Sequence, residues 1–205
     1  MEKKRIIAVG ILLAALAAVW LGVRQLSGTE QITHPALTIT ALPVGKADAL
    51  ILKTDDWAAM IDTGEERDGS YIRETLEAAG IDHLNLLLVT HFDKDHVGGA
   101  AKVLEHMEVN AVFMPDYEGT RLEYDSFLEA LAGRDGVQRL TGTTEQTIGE
   151  MKIRVQAAEQ ADTFADENDL SLVTWVTFGH RKFLFTGDIT EGRISELLAS
   201  DEDLR

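Results

Sequence analysis

The sequence predicts one layered domain of mixed α/β structure, and three observations lead to this fold class. At 205 residues, the chain is long enough for one domain with a buried core and too short for two sizeable ones. Its composition, 45% hydrophobic and 26% charged, is that of a folded globular protein. Segments with the two-residue period of strands are interleaved with segments of helical spacing, which favours sheets covered by helices.

The first 24 residues are predicted to be a membrane anchor. A basic head at residues 1–5 precedes an uncharged apolar run at 6–23, and Arg24 follows it. As a helix, this run would span roughly 27 Å, close to the hydrocarbon thickness of a bilayer. The basic head favours a cytoplasmic N-terminus, which predicts a single-pass protein with its domain on the extracytoplasmic side. A signal peptide that is cleaved to release a secreted protein is the alternative.

Residues 25–35 are polar and aperiodic, and they are predicted to be a tether. This leaves 36–205 as the globular domain. Its predicted strands either alternate with period two or are short apolar runs bounded by turn residues. The run at 84–89 is interrupted only by Asn85, so it predicts a strand covered on both faces. The predicted strands are 37–42, 49–52, 57–61, 84–89, 111–114, 153–155, 170–178 and 182–185.

Four segments between or after these strands have helical spacing. Tyr124, Phe127 and Leu131 mark the clearest amphipathic helix, and Gly133 suits the position just past its end. The predicted helices are 72–79, 100–107, 124–131 and 190–199.

Composition also restricts the chemistry that the chain can perform. It contains no cysteine, so a metal ion would have to be held by histidine and carboxylate side chains. The formal net charge of −16 counts against a broad nucleic-acid-binding surface, for which a basic stripe would be expected.

The segment at 91–96 is the strongest chemical signal in the sequence. His91, Asp93, Asp95 and His96 directly follow a predicted buried strand, where open αβ sheets place their ligand sites. Imidazole and carboxylate donors suit zinc, manganese or iron. Because His91 and Asp93 are two positions apart while Asp95 and His96 are adjacent, one loop could contact two ions. Solvated acidic loops and helix caps are the common alternative, but they do not predict this combination of residues.

With this loop the chain resembles the metallo-β-lactamase superfamily, and within it the metal-hydrolase domain of ComEC-type DNA-uptake competence proteins. Asp93 stands where ordinary lactamase relatives have a second histidine, as in the competence branch. The resemblance implies an αββα sandwich, preceded here by the N-terminal transmembrane helix. The segments that resemble family motifs are 42–48, 60–64, 88–99, 168–173 and 185–188.

The resemblance also implies roles for individual residues. His91 and Asp93 would hold one ion, Asp95 and His96 the other, and Asp188 would bridge both. Asp95 would in addition orient the attacking hydroxide and so act in catalysis. Two divalent ions, zinc or manganese, are the implied cofactors.

Four further residues are expected to shape the site. Asn168 and Ser171 would line or shape the substrate pocket, although a turn before a strand explains them equally well. Asp62 is expected to fix its loop by accepting backbone N–H bonds, and Asp48 is expected to act in the same way.

Two departures from the family pattern stand out. The first motif has Pro43, Lys46 and Ala47 where relatives have other residues, so that loop is expected to be rebuilt. No histidine follows Asp188, whereas relatives have one there, so the sandwich is expected to be incomplete at its C-terminus and the second metal site weak or incomplete. His180 is expected to be exposed in a hairpin turn.

The resulting hypothesis is a membrane-anchored, outward-facing, metal-dependent hydrolase. The resemblance implies a phosphodiester substrate, with DNA as one candidate, cleaved by a hydroxide formed at the metal; no protein partner can be inferred. Two alternatives remain open, a non-catalytic remnant with an incomplete metal site and a hydrolase of carbonyl esters or lactams.

Overall fold

The computed structural model describes residues 36–159 and 161–200, apart from the side chain of Asp162. The predicted anchor (1–24) and tether (25–35) lie outside these residues. Within the two described ranges, no helix is long and apolar enough to cross a membrane.

Twelve strands and five α-helices make up the described part of the chain. The strands are β1 (Thr38–Ala41), β2 (Leu50–Lys53), β3 (Ala58–Ile61), β4 (His83–Leu84), β5 (Leu86–Leu88), β6 (Glu108–Val109), β7 (Val112–Pro115), β8 (Val137–Leu140), β9 (Thr143–Ile148), β10 (Met151–Gln156), β11 (Val173–Phe178) and β12 (Arg181–Phe185). The helices are α1 (Gly69–Ala78), α2 (Lys94–Val97), α3 (Ala100–His106), α4 (Leu122–Leu131) and α5 (Glu191–Ala199), and 3₁₀ turns lie at Glu66–Asp68, Ala161–Thr163 and Glu167–Leu170.

The strands form two main sheets. The first has the order β1-β2-β3-β5-β7-β8, antiparallel from β1 to β3 and parallel from β3 to β8. The second is an antiparallel sheet in the order β12-β11-β10-β9. β4 and β6 pair separately as a short parallel ribbon.

The central strands of the first sheet are buried on both faces, as their apolar runs predicted. Met60 and Leu87 face a core shared with α1, α3 and α4, while Ile61 and Leu88 face a second core shared with β10 and β11. The helices therefore cover one face of the first sheet, and the second sheet packs against the other. This confirms the predicted mixed α/β layering.

Helix α5 lies at the end of the second sheet. Its buried Arg193 donates a hydrogen bond to the carbonyl oxygen of Ala157, just beyond β10. In the same sheet, β12 is an edge strand whose Phe183 and Leu184 are partly exposed.

Two details of the predicted strands were wrong. The predicted strand at 84–89 is divided at Asn85, whose side-chain carbonyl oxygen accepts a hydrogen bond from the Ala58 N–H at 2.9 Å. Strands β6, β8 and β9 were not predicted. β9 is mostly polar and exposed, and it is a strand because six of its residues pair in register with β10.

Candidate metal centre

The candidate site lies at the carboxyl ends of two neighbouring parallel strands. Ile61 of β3 pairs with Leu88 of β5, so the residues that follow the two strands are brought side by side. Asp62 continues β3, and Thr90 and His91 continue the chain after β5. Polar loops at the carboxyl ends of parallel strands are where such sheets bind ligands.

Asp62 joins the two loops. It is buried in the left-handed region, with φ 56°, which aspartate tolerates better than most side chains. Its Oδ1 accepts the Thr90 N–H at 2.8 Å, and its Oδ2 accepts the Thr90 hydroxyl at 2.7 Å. The expected loop-fixing role of Asp62 is therefore confirmed.

Asp62 has a second role that the sequence did not predict. Its Oδ2 also lies 2.8 Å from Nδ1 of His96, which places the proton of the neutral ring on Nδ1 and directs Nε2 away from Asp62. A carboxylate behind a histidine is the usual arrangement that orients a metal-binding imidazole.

The first motif reaches the metal loop through its backbone. The Asp48 N–H donates to the Asp95 carbonyl at 3.1 Å, and the Asp48 carbonyl accepts from the Gly64 N–H at 2.8 Å. The Asp48 carboxylate instead belongs to a group with Asp62 and His96 in which one ligand atom of each residue lies within 4.8 Å of the others. The main chain of Asp48, rather than its side chain as expected, thus fixes this loop.

The rings of His91 and His96 face one another with centroids 4.1 Å apart. Each contributes a ligand atom to a group with Asp188 in which all three atoms lie within 4.8 Å of one another. Asp188 Oδ2 is 3.4 Å from His96 Nε2. Both rings are buried, whereas half of the Asp188 side chain is exposed, so the group is open to solvent on the Asp188 side.

The Nε2 atom of His91 is the most informative atom of this group. It is buried and has no hydrogen-bond partner in the described part of the chain. An unpaired buried nitrogen costs free energy unless something binds it. A divalent cation shared with His96 and Asp188 would satisfy it, so the residues present fit a metal ion.

The two histidines differ in their electrostatics. Burial, with a smaller contribution from neighbouring His96, lowers the pKa of His91, which keeps its ring neutral and its lone pair free. Burial would also lower the pKa of His96, but the hydrogen bond and charge of Asp62, followed by Asp188 and Asp48, raise it to about 9.

The same concentration of charge acts on Asp48. Burial raises the pKa of Asp48, and the carboxylates of Asp62, Asp188 and Asp95 raise it further against the opposing effect of His96. So many carboxylates in one place favour the binding of a cation.

Gly187 sets the position of Asp188. It lies in the left-handed region at φ 58°, and a Cβ atom there would come within 2.9 Å of the Thr90 hydroxyl and 3.1 Å of Ser171 Cβ. The turn can therefore approach the metal loop closely only because residue 187 has no side chain.

Asp93 and Asp95 lie beside the group rather than in it. Asp93 is partly exposed and lies 3.6 Å from the guanidinium of Arg121. Asp95 is in the first turn of α2 and is partly buried. The structure thus brings together three of the five predicted ligands, His91, His96 and Asp188.

The two predicted pocket residues differ in position. Asn168 lines an open cleft beside Asp93. Ser171 is fully buried, and its hydroxyl donates to the Asn168 carbonyl at 2.7 Å. Ser171 therefore supports the Asp188 turn from beneath, next to Gly187. His180 is exposed in its turn, as expected.

Three neighbours of the site were missed at the sequence level. Tyr117 accepts the Phe92 N–H at 2.9 Å, and buried Asp169 accepts the Thr190 N–H at 2.6 Å, two residues after Asp188. Arg121 pairs with Asp93. All three act across more than 20 positions of sequence, so no local pattern indicated their roles.

Comparison with known proteins places this geometry in context. Residues 42–203 match the family model for the metallo-beta-lactamase superfamily. ComE operon protein 3 of Bacillus subtilis (strain 168) is 30% identical over 125 residues, which are 60% of this chain and 16% of that protein. The chain thus spans a small part of the length of this relative.

Solved structures share the fold at low sequence identity. A Thermotoga maritima protein described as a metallo-beta-lactamase aligns with a TM-score of 0.53 and 16% identity, over 83% of this chain and 87% of that one. A Cronobacter sakazakii metallo-beta-lactamase with a HARLDQ motif aligns with a TM-score of 0.51 and 16% identity, over 71% of this chain and 58% of that one. At these identities, the likeness concerns the fold alone.

Proposed function

This chain belongs to the metallo-β-lactamase superfamily, as its motifs predicted, and we propose that it is a metal-dependent hydrolase that acts on phosphodiesters. The observation that carries the proposal is the unpaired, buried Nε2 of His91, facing His96 and the half-exposed Asp188. Two imidazoles and a carboxylate form a donor set suited to zinc or manganese.

The residues of this chain have distinct tasks in the proposed reaction. His91, His96 and Asp188 would hold a divalent ion, and Asp93 and Asp95 would extend the set to a second ion. Asp62 keeps His96 oriented, and Asp95 would orient the attacking water. When bound, such an ion supplies Lewis-acid chemistry by polarising a phosphoryl oxygen and lowering the pKa of water.

The preference for phosphodiesters rests on the metal loop. Asp93 occupies a position where lactamase relatives have a histidine, and the loop resembles that of competence-type hydrolases. The net charge of −16 argues against a long polyanion lying across the surface. The proposed substrate is therefore a single phosphodiester group that enters at the half-exposed Asp188 side, rather than a long strand bound along the surface.

The proposed location follows from residues 1–24. Their basic head and apolar run support a membrane anchor with the domain outside the cytoplasm. Protease added to intact cells should remove the domain and leave a short membrane-bound fragment. Release of the full domain into the medium would instead support the secreted alternative.

Metal analysis and turnover test the enzymatic proposal. The full chain, purified in detergent, should hold zinc or manganese and hydrolyse bis-(p-nitrophenyl) phosphate. His91→Leu should lose the bound ion, and Asp95→Ala should lose turnover. Asn85→Ala, at the opposite end of β5, is the matched control and should retain both.

The same preparation separates the rival functions. Turnover of a cephalosporin or a thioester without turnover of the phosphodiester would favour a carbonyl hydrolase. A wild-type chain that neither binds metal nor turns over any of these substrates would contradict the proposal and favour a non-catalytic domain.

A further inference from the structure

We propose that Arg121 recognises the anionic group of the substrate, an inference that rests on the hydrolase function proposed above. Arg121 is the residue just before α4, 25 positions after His96 at the end of the metal loop, and no sequence motif marks it. Its importance comes from the cleft beside Asp93 in which the fold places it.

This cleft has an unusual distribution of charge. It is open, has a volume of about 370 Å³ and adjoins the metal loop through Asp93. Among the described residues that line it, Arg121 is the only basic one, whereas three are acidic. The lining residues are Asp93, Thr120, Arg121, Ala165, Asp166, Glu167 and Asn168.

An anionic substrate would be repelled by such a cleft without Arg121. The acidic side chains and the net charge of the chain both oppose the approach of a phosphate group. A guanidinium offers five N–H donors in a planar fork that matches two phosphate oxygens at once. Arg121 therefore supplies the positive charge and the planar pair of donors that no other described residue lining the cleft offers.

The guanidinium is available for this role. Its Nη2 lies 3.6 Å from Asp93 Oδ1, which is longer than a hydrogen bond, and 55% of the side chain is exposed. An exposed ion pair of this length holds its partners weakly. If Asp93 also shares its negative charge with a metal ion, its hold on Arg121 weakens further.

The backbone of Arg121 is nevertheless firmly placed relative to the metal loop. A Cβ atom at Gly119 would come within 2.7 Å of Tyr124 Cγ and 3.0 Å of Phe92 Cβ, so this loop lies directly against the residue that follows His91. The Arg121 carbonyl also accepts the Tyr124 N–H at 3.1 Å. The side chain thus extends from a fixed point into an open cleft.

Substitution of Arg121 in the zinc-loaded full chain tests this proposal by two readouts. Arg121→Ala should raise KM for bis-(p-nitrophenyl) phosphate about tenfold with little change in kcat, because a charge-assisted hydrogen bond is lost. The Kd for inorganic phosphate, measured by calorimetry, should rise by a similar factor. Arg121→Lys should recover part of both losses, since it restores the charge without the planar fork.

The matched control is Arg73→Ala. It also removes one positive charge, together with the ion pairs that Arg73 makes on α1 with Glu77 at 2.7 Å and Glu74 at 3.8 Å. Arg73 does not line the cleft, so its loss should leave KM and phosphate binding unchanged.

Three outcomes would overturn the role of Arg121. The first is unaltered phosphate binding in Arg121→Ala, and the second is a wild-type chain that does not bind phosphate. The third is loss of zinc from Arg121→Ala, because Arg121 would then serve to position Asp93. If phosphate binding depends on Arg121 but the wild type turns over no phosphodiester, the proposed hydrolase function is refuted, while the proposed role of Arg121 in binding an anion is supported.

Discussion

Replacement of Asp62 by asparagine tests whether this buried carboxylate prepares His96 for a metal ion. Asparagine has nearly the same size and also tolerates the φ of 56°, so the backbone should not change. What changes is the hydrogen-bonding chemistry, because one acceptor oxygen becomes an NH₂ group with two donors. The present carboxylate accepts three hydrogen bonds, from Thr90 N–H, the Thr90 hydroxyl and His96 Nδ1.

The asparagine cannot reproduce these three bonds. If its oxygen keeps the Thr90 N–H, its NH₂ group faces His96 Nδ1, and two donors oppose each other. The imidazole is then driven to the tautomer with its proton on Nε2, the atom that lies 3.4 Å from Asp188 and is needed for the metal.

Asp62→Asn should therefore lower both the stability of the metal-free fold and its affinity for zinc. The free energy of unfolding in EDTA should fall by about 3–6 kcal/mol, because hydrogen bonds to a charged acceptor contribute about 1.5–3 kcal/mol each and two of the three are lost. Zinc affinity should fall roughly 10–100-fold, the usual effect of losing a residue that orients a metal ligand.

Urea denaturation in EDTA and zinc titration against a competing chelator measure the two effects separately. Asn85→Ala is the control, since it removes a side-chain bond to the Ala58 N–H at the other end of β5. It should lose about 1 kcal/mol of stability and no zinc affinity. The reasoning is refuted if Asp62→Asn binds zinc within twofold of the wild type, or if Asn85→Ala loses as much affinity.

Two further predictions concern the turn at Asp188 and the charge on His96. Gly187→Ala and Gly179→Ala should each cost about 1–2 kcal/mol of backbone strain, because the two residues have similar φ angles of 58° and 55°. Of the two, only residue 187 has neighbours within 4 Å of an added Cβ. In urea denaturation, Gly187→Ala should therefore lower the free energy of unfolding by about 1–3 kcal/mol more than Gly179→Ala does, and it should lose most of its bound zinc. Equal losses in the two variants would contradict the close packing around residue 187. Because the pKa of His96 is raised from 6.5 to about 9, its protonated form stabilises the metal-free fold fully below pH 6.5, and this contribution is lost as pH rises through 9. In EDTA, the free energy of unfolding of the wild type should fall by about 3 kcal/mol from pH 6 to 10, whereas that of His96→Gln should stay nearly level. A level profile in the wild type would exclude a charged pair between His96 and Asp62.

Local patterns predicted most of the elements that surround the site, although not α2, the short helix that carries Asp95 and His96. The apolar residues at 86–88 required burial on both faces, and the structure places Leu87 and Leu88 in different cores. The spacing of Tyr124, Phe127 and Leu131 likewise predicted the buried face of α4. Such patterns are readable because burial and helix periodicity depend on neighbours only a few residues apart. Polar β9 has no such pattern, since its pairing partner β10 decides its conformation.

By itself, the sequence determined that His91 and His96 lie in one polar loop after a buried strand, since six consecutive residues cannot separate far. Only the tertiary structure decided which carboxylates join them. Pairing of β3 with β5 brings Asp62 behind His96, and close packing at Gly187 brings Asp188 in front of it. Packing of Gly119 against Phe92 and Tyr124 sets Arg121 opposite Asp93. These contacts join residues about 30–100 positions apart, and the free energy that selects them comes from sheet register and core burial, which no local motif encodes.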